Sequence, residues 1–231
     1  MLARGCGRYG EAPAWLGETM RVTKFEHACV RISNGGSALV IDPGGFTTVE
    51  AVDGVDAVLI THEHFDHYAI EHLRATAAVI FTIAAVADQI GKDDPAVRER
   101  VTVVGPGEMF EAAGMRVTVV GELHAVIHPE SPVFFNSGYV VRAGQTVYHP
   151  GDSFTLPDQQ VDVLCLPVSG PWLKLAETID FARKVKAPTT LAIHETLASD
   201  VGLTMIDARL SDMLEPHGSR YQRLSTGEEV A

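Results

Sequence analysis

A chain of 231 residues is long enough to bury a substantial core, as one large domain or two small ones. Its 46% hydrophobic and 21% charged residues describe a soluble globular protein, and no apolar run is long enough to span a bilayer. The net charge of −12 excludes broad electrostatic attraction to nucleic acid or anionic membranes, while leaving room for a local basic pocket.

Residues 1–19, MLARGCGRYGEAPAWLGET, have neither the continuous apolar stretch of a secretory signal nor a helical or strand period. They are expected to be a loosely ordered extension, or to lie upstream of a native start at Met20. The expected domain then covers residues 20–231, with cytoplasmic localisation. Cys6, Cys29 and Cys165 are odd in number and widely spaced, which gives no disulfide framework. Cys29 and Cys165 lie in apolar runs and read as buried free thiols.

From Met20 the pattern is rich in strands. RVTKFEHACVRI (21–32) alternates, a Gly-Gly-Ser turn follows, and ALVIDPG (38–44) is a short apolar strand ended by Asp42, Pro43 and Gly44. AVLIT (57–61) is fully apolar and runs directly into HEHFDH (62–67). AIEHLRAT (69–76) has helical spacing, with Ile70, Leu73 and Ala77 on one face. A buried strand, AAVIFT (77–82), precedes a predicted helix from Ala84 to Ile90. VTVVG, MRVTVVGELHA, GYVVRAG and TVYHPGD then read as successive strands. The remainder gives the strand VDVLCLPVSG, a helix at about 176–186, the strand TLAIHE and a last helix near 204–215. No repeat or low-complexity linker divides the chain, so the expectation is one α/β domain with two related halves.

His62 and His64 are two residues apart, so in an extended segment both imidazoles point to the same side and can reach one ion. Asp66 and His67 follow where the chain turns, and can face a second ion nearby. Two adjacent cations repel, and such a site needs anionic ligands, usually with a bridging carboxylate or hydroxide. Further candidates stand at later strand ends: His124 after MRVTVVGEL, Asp152 after Gly151, and His194 after TLAI. A single histidine at a strand end is most often structural. Four strand ends finishing in His or Asp are hard to explain by packing.

HEHFDH matches the HxHxDH motif of the metallo-β-lactamase superfamily, and the later His, Asp and His fall in that family's order. FEHACVRISNGGSALVIDPGG also resembles the start of simple metal-dependent hydrolases related to ascorbate-6-phosphate lactonase. The resemblance covers most of residues 20–200. It implies a four-layer αβ/βα sandwich, two mixed sheets flanked by helices, with the site along one edge of the sheets. It further implies that His62, His64 and His124 hold a first metal, that Asp66, His67 and His194 hold a second, and that Asp152 bridges them. Di-iron oxygen-reducing relatives usually have glutamate where this chain has His64, which favours the hydrolytic branch.

Nitrogen and carboxylate donors suit two divalent ions, zinc foremost, with manganese or iron as the alternatives. Such a pair activates a water for attack on an ester, lactone, amide or phosphodiester. Asp66 is the candidate catalytic residue, orienting the water and passing a proton to the leaving group. Asp42 is a candidate partner for a ligand histidine, although Asp-Pro-Gly is equally a turn signal. His27, Ser169, Trp172 and Lys174 are candidates for substrate contact, Lys174 through a phosphate or carboxylate. The segment SGPWLK departs from the Gly-Gly and Thr-Met of related hydrolases. His149 is a candidate support for Asp152, His128 a loop residue, and His72 and His217 surface residues.

The leading expectation is a binuclear metal-dependent hydrolase acting on a small molecule, with no nucleic-acid or membrane partner and a homo-oligomer left open. The alternatives are a phosphodiesterase or nuclease with the same site, which a basic groove would favour, and a metal-binding protein with little turnover.

Overall fold

A computed structural model describes residues 20–230, so the expectation for residues 1–19 lies outside the described residues. Two mixed sheets stand face to face. The first has six strands in the order β1-β2-β3-β4-β5-β6: Arg21–Lys24, Val30–Asn34, Ser37–Ile41, Ala57–Ile60, Val79–Thr82 and Val101–Val103. Its first three strands pair antiparallel and the rest parallel. The second has seven, in the order β13-β12-β11-β10-β9-β8-β7. These are β7 Met109–Ala112, β8 Met115–Val120, β9 Gly138–Ala143, β10 Gln145–His149, β11 Val163–Pro167, β12 Thr189–Ile193 and β13 Arg220–Gln222. They too pass from an antiparallel meander, β7 to β10, into parallel pairs, β10 to β13. The two halves share one plan.

The layers follow from side-chain alternation. In β4, Ala57 and Leu59 enter the core between the sheets, while Val58 and Ile60 face the helices outside. Both sets are apolar because a central parallel strand is covered on both faces. Helices α1 (Ile70–Ala75), α2 (Ala84–Asp93) and α3 (Pro95–Arg98) flank the first sheet, where Leu73, Val86 and Ile90 meet Val40, Val58 and Ile60. Helices α4 (Leu175–Val185) and α5 (Asp200–Leu214) flank the second, where Phe181, Leu210 and Leu214 meet Tyr148, Leu164 and Leu166. Between the sheets Ile32, Leu39 and Leu59 pack with Met115, Tyr139, Val141 and Leu191. Truncating Leu59 to alanine there would cost about 2–5 kcal/mol through lost transfer energy and a residual cavity.

Several boundaries differ from the sequence reading. The run 21–32 is two strands, broken by a turn in which His27 has φ 57°. Alternation alone could not show that break. Helix α1 ends at Ala75, so Ala77 is exposed outside it. Strand β8 ends at Val120, which leaves His124 in the following loop rather than on the strand. The last helix begins at Asp200, where the Ser199 side chain accepts a hydrogen bond from the Gly202 N–H and caps its first turn. Strands β7 and β13 and helix α3 are additions to the predicted elements. Among the described residues, no helix is long and apolar enough to cross a membrane.

Candidate metal centre

The carboxyl ends of β3, β4, β10 and β12 open on one edge, the usual place for a site in parallel sheet architecture. They deliver Asp42, the segment Thr61–His67, Asp152 and His194; the β1–β2 turn adds His27 and the β8–β9 loop adds His124. Two glycines permit the close approach. A side chain at Gly44 would collide with the backbone of Asp66, and one at Gly151, where φ is 61°, with Asn136 and Thr61. Non-glycine residues in the left-handed region cluster here as well: His27 (57°), Asp42 (51°) and His194 (64°). Such backbone persists where surrounding contacts over-determine it, and functional sites are where it collects.

Asp152 lies at the centre. Its Oδ1 is 3.1 Å from His67 Nε2, and its Oδ2 is 3.3 Å from both His124 Nε2 and His194 Nε2 and 3.9 Å from His62 Nε2. Asp66 Oδ2 is 3.3 Å from His194 Nε2 and 3.1 Å from His27 Nε2, and His64 Nδ1 is 3.1 Å from His62 Nε2. Two groups of possible ligands result, His62 with His64, His124 and Asp152, and His27 with Asp66, His67 and His194.

The outer nitrogens are held so that the inner ones point inward. His67 Nδ1 lies 2.7 Å from Asp42 Oδ2, whose carboxylate also accepts the Thr61 N–H and hydroxyl at 2.8 and 2.7 Å. With its hydroxyl proton on Asp42, Thr61 Oγ1 can accept from His62 Nδ1 at 3.0 Å. His124 Nδ1 is held by the carbonyl of Ala125. This network places a proton on Nδ1 of His62, His67 and His124 and turns each Nε2 toward Asp152. Asn136 fixes the Asp152 turn, donating to the Pro150 carbonyl at 2.9 Å and accepting the Asp152 N–H at 3.0 Å.

Burial and charge divide the imidazoles. Burial holds His62 well below its ordinary value; it also lowers His64, aided by neighbouring His124, and pushes His27 down to about 4. At His67 and His194 burial acts in the same direction but is outweighed by carboxylates, Asp152 first. His67 is therefore raised well above its ordinary value and His194 to about 9. Asp66 and Asp152 are depressed, because nearby imidazoles outweigh a burial that would raise them. Without another cation, protons on His67 and His194 balance the two carboxylates.

The donor set fits metal ions on a direct observation. His67 Nε2, His124 Nε2, His194 Nε2 and Asp152 Oδ1 are buried and make no well-aligned hydrogen bond, although all approach one shared space. A cation in that space would satisfy the nitrogens and replace the protons that otherwise balance the carboxylates.

The other predicted residues separate clearly. Trp172 is buried, and its indole N–H donates to Asp152 Oδ2 at 2.8 Å, so its polar contact is with the carboxylate at the centre of the site. Ser169 Oγ donates to the His194 carbonyl at 2.6 Å. Lys174 is exposed, with Nζ 3.3 Å from Glu177 Oε1, and is not brought to the centre; it precedes α4, where solvent draws a lysine outward. His72 is buried rather than on the surface, because Nδ1–H donates to the Pro43 carbonyl at 2.8 Å and ties α1 to the Asp42 turn. His149 accepts the Gly151 N–H at Nδ1, 3.2 Å away, and donates from Nε2 to the Ala28 carbonyl at 2.8 Å. It thus braces the turn that carries Asp152. His128 and His217 are exposed. Cys29 and Cys165 are buried free thiols, Cys165 pushed up to about 12 by burial.

Sequence reasoning missed Lys24, Thr61, Asn136 and the aromatic rings around the histidines. Lys24 is fully buried, and Nζ donates to the carbonyls of Phe25 and His27, the latter at 2.7 Å, and to Glu195 Oε1 at 2.8 Å. A signal existed: alternation places Lys24 on the inward face with Val22. Phe134 packs edge-on to His64, with centroids 4.6 Å apart, and Phe46 to His27 at 5.1 Å.

Comparison with known proteins gives a consistent picture. Residues 21–194 match the beta-lactamase superfamily domain. Protein Rv0786c of Mycobacterium tuberculosis is 34% identical over 203 residues, covering 84% of this chain and 92% of its own. A UPF0173 metal-dependent hydrolase of Methanoregula boonei is 31% identical, covering 78% of this chain and 86% of its own. Igni18, a metallo hydrolase from Ignicoccus hospitalis, shares the fold with TM-score 0.71 at 19% identity, over 91% of this chain and 97% of its own. With the matched domain spanning the whole His and Asp constellation, the chain belongs to the beta-lactamase superfamily and to its UPF0173 metal-dependent hydrolase family.

Proposed function

We propose that the protein is a binuclear metal-dependent hydrolase acting on a small-molecule ester or lactone. The observation that carries this reading is the convergence of unpartnered His67, His124 and His194 Nε2 atoms on Asp152. His62, His64 and His124 would hold one divalent ion and Asp66, His67 and His194 the other, with Asp152 shared; zinc suits the donors, as do manganese and iron. Bound ions would supply Lewis acidity toward the carbonyl and lower the pKa of a water near Asp66. Asp66 would orient that water and carry its proton toward the leaving group, since its Oδ2 already faces the inner space beside His194.

The choice of carboxylic ester or lactone over phosphoester rests on the surroundings. Phe46, Phe134 and Trp172 border the histidines, whereas Lys174, the cation expected to attract a phosphate, is paired with Glu177 in solvent. This favours an uncharged acyl substrate and a small-molecule partner over nucleic acid. The lactonase-like resemblance of residues 25–45 supports lactone opening as the reaction.

The test is hydrolysis of a panel of esters, lactones and phosphodiesters by metal-loaded protein, with Asp66→Ala beside it. The expected result is turnover of carboxylic esters or lactones, abolished in the variant with the fold retained. Wild-type turnover in Asp66→Ala would contradict the assigned role. Turnover confined to phosphodiesters would contradict the substrate class.

A further inference from the structure

His27 presents to Asp66 the same atom that His194 does. Its Nε2 lies 3.1 Å from Asp66 Oδ2, and His194 Nε2 lies 3.3 Å from that same oxygen. The two rings face one another with centroids 4.0 Å apart and planes tilted by 49°. Both residues have left-handed backbone, and Nδ1 is buried without a hydrogen-bond partner in each. The placement is built, not incidental. The His27 carbonyl receives the His194 N–H at 3.1 Å and the Lys24 ammonium at 2.7 Å, and Lys24 is in turn held by Glu195 Oε1 at 2.8 Å. A buried lysine thus ties the β1–β2 turn to the end of β12, so that the rings of His27 and His194 flank Asp66 together.

We infer that His27 is a direct metal ligand, a third imidazole at the second ion alongside His67 and His194. This rests on the two-metal reading above and extends its ligand set. The ligand atoms of His27, Asp66, His67 and His194 lie within 4.8 Å of one another, as do those of His62, His64, His124 and Asp152. Donors about 2.1 Å from one ion are at most about 4.2 Å apart, so small ring movements close the remainder. An ion at this position, bound by Asp66 Oδ2 and His194 Nε2, is within reach of His27 Nε2 without backbone rearrangement.

The consequence is an unequal pair of sites. The first offers three imidazoles and Asp152. The second offers three imidazoles, Asp66 and the Oδ1 atom of Asp152, 3.1 Å from His67 Nε2. Five protein donors exceed what tetrahedral zinc takes and suit an ion that accepts five or six ligands, such as Mn(II) or Fe(II).

The deciding experiment is a crystal structure of the protein loaded with Mn(II), read by anomalous diffraction, together with calorimetric titration of Mn(II) into wild type, His27→Ala and His27→Gln. The expected structure has two ions, one with His27 Nε2 at a bonding distance of about 2.1–2.3 Å. In the titration both variants should lose at least tenfold affinity at one site and keep the other. Glutamine can still donate a hydrogen bond to Asp66, so full recovery of affinity in His27→Gln would overturn direct ligation. Two ions with His27 still about 3 Å from Asp66 and off the metal would overturn this inference alone. A single bound ion at saturation would overturn the two-metal reading as well.

Discussion

Trp172 donates its indole N–H to Asp152 Oδ2 at 2.8 Å, so the residue at the centre of the site is oriented by a loop that precedes α4. The indole also packs near His124 and His194, with centroids 5.8 and 6.3 Å away. Replacing Trp172 with phenylalanine keeps an aromatic body and removes the donor. The expected result is a loss of roughly 10–100-fold in metal affinity, the usual cost of removing an outer hydrogen bond to a ligand. Calorimetric metal titration checks it, and unchanged affinity would reduce Trp172 to packing.

Asp42 accepts from the Thr61 backbone and hydroxyl and pairs with His67, all within a buried turn. Asp42→Asn is a clean probe because asparagine tolerates the φ of 51°. Oδ2 takes both the Thr61 hydroxyl and His67 Nδ1–H while Oδ1 takes the Thr61 N–H, so an amide, with one oxygen, turns an NH2 group toward donors on one of the two sides. The expected cost is roughly 3 kcal/mol of stability, as when a buried charge loses its partner, with weaker metal binding. Denaturant unfolding of the metal-free and loaded protein measures both.

How much of this was legible in the chain depended on whether a signal was local. HEHFDH is contiguous, and its spacing reflects an extended segment turning into a helix, so four candidates could be named from six letters. His124, Asp152 and His194 could be placed because each follows an apolar run. The layer order was legible from runs such as AVLI and VLCLP, which are apolar on both faces. The rest depends on pairing across the fold. Lys24 meets Glu195 over a separation of 171 residues, and the Asn136 clamp on the Asp152 turn has no local mark. The left-handed turn at His27 hid within an alternating pattern, and Lys174 fell outside because a short loop before α4 sends it to solvent. His72 was misplaced because a histidine on a predicted amphipathic helix gives no sign of the Pro43 carbonyl waiting for it.

His194 and His27 titrate in opposite senses, which predicts the pH dependence of the metal-free protein. His194 is raised from 6.5 to about 9, so its attraction to Asp152 and Asp66 is fully present below pH 6.5 and is lost as pH rises through 9. His27 is lowered from 6.5 to about 4, so between those values the unfolded chain binds a proton that the native state does not. Stability therefore falls as pH drops from 6.5 toward 4. These two groups place the maximum near pH 6.5. Melting temperature against pH, compared between wild type and His194→Gln, should show the alkaline arm flattened in the variant. An equally steep arm would contradict the charge pairing.

Metal removal should destabilise the fold. An ion that binds only the native state adds about 4 kcal/mol when its free concentration is a thousand times its dissociation constant. Treatment with a chelator should lower the melting temperature by roughly 8–16 °C, given about 2–4 °C per kcal/mol for a chain of this size and the same protein loaded as reference. Binding should weaken below pH 6, because ligand imidazoles must be deprotonated to coordinate. A melting temperature indifferent to the chelator would argue against a resident ion.

The measurement that bears most directly on the central claim is a metal titration of chelator-treated protein, with bound metal and ester or lactone hydrolysis followed in the same samples. A two-metal hydrolase predicts saturation at two equivalents per chain, with turnover appearing as the second equivalent binds. Saturation at one equivalent, or undiminished hydrolysis by the metal-free protein, would contradict it.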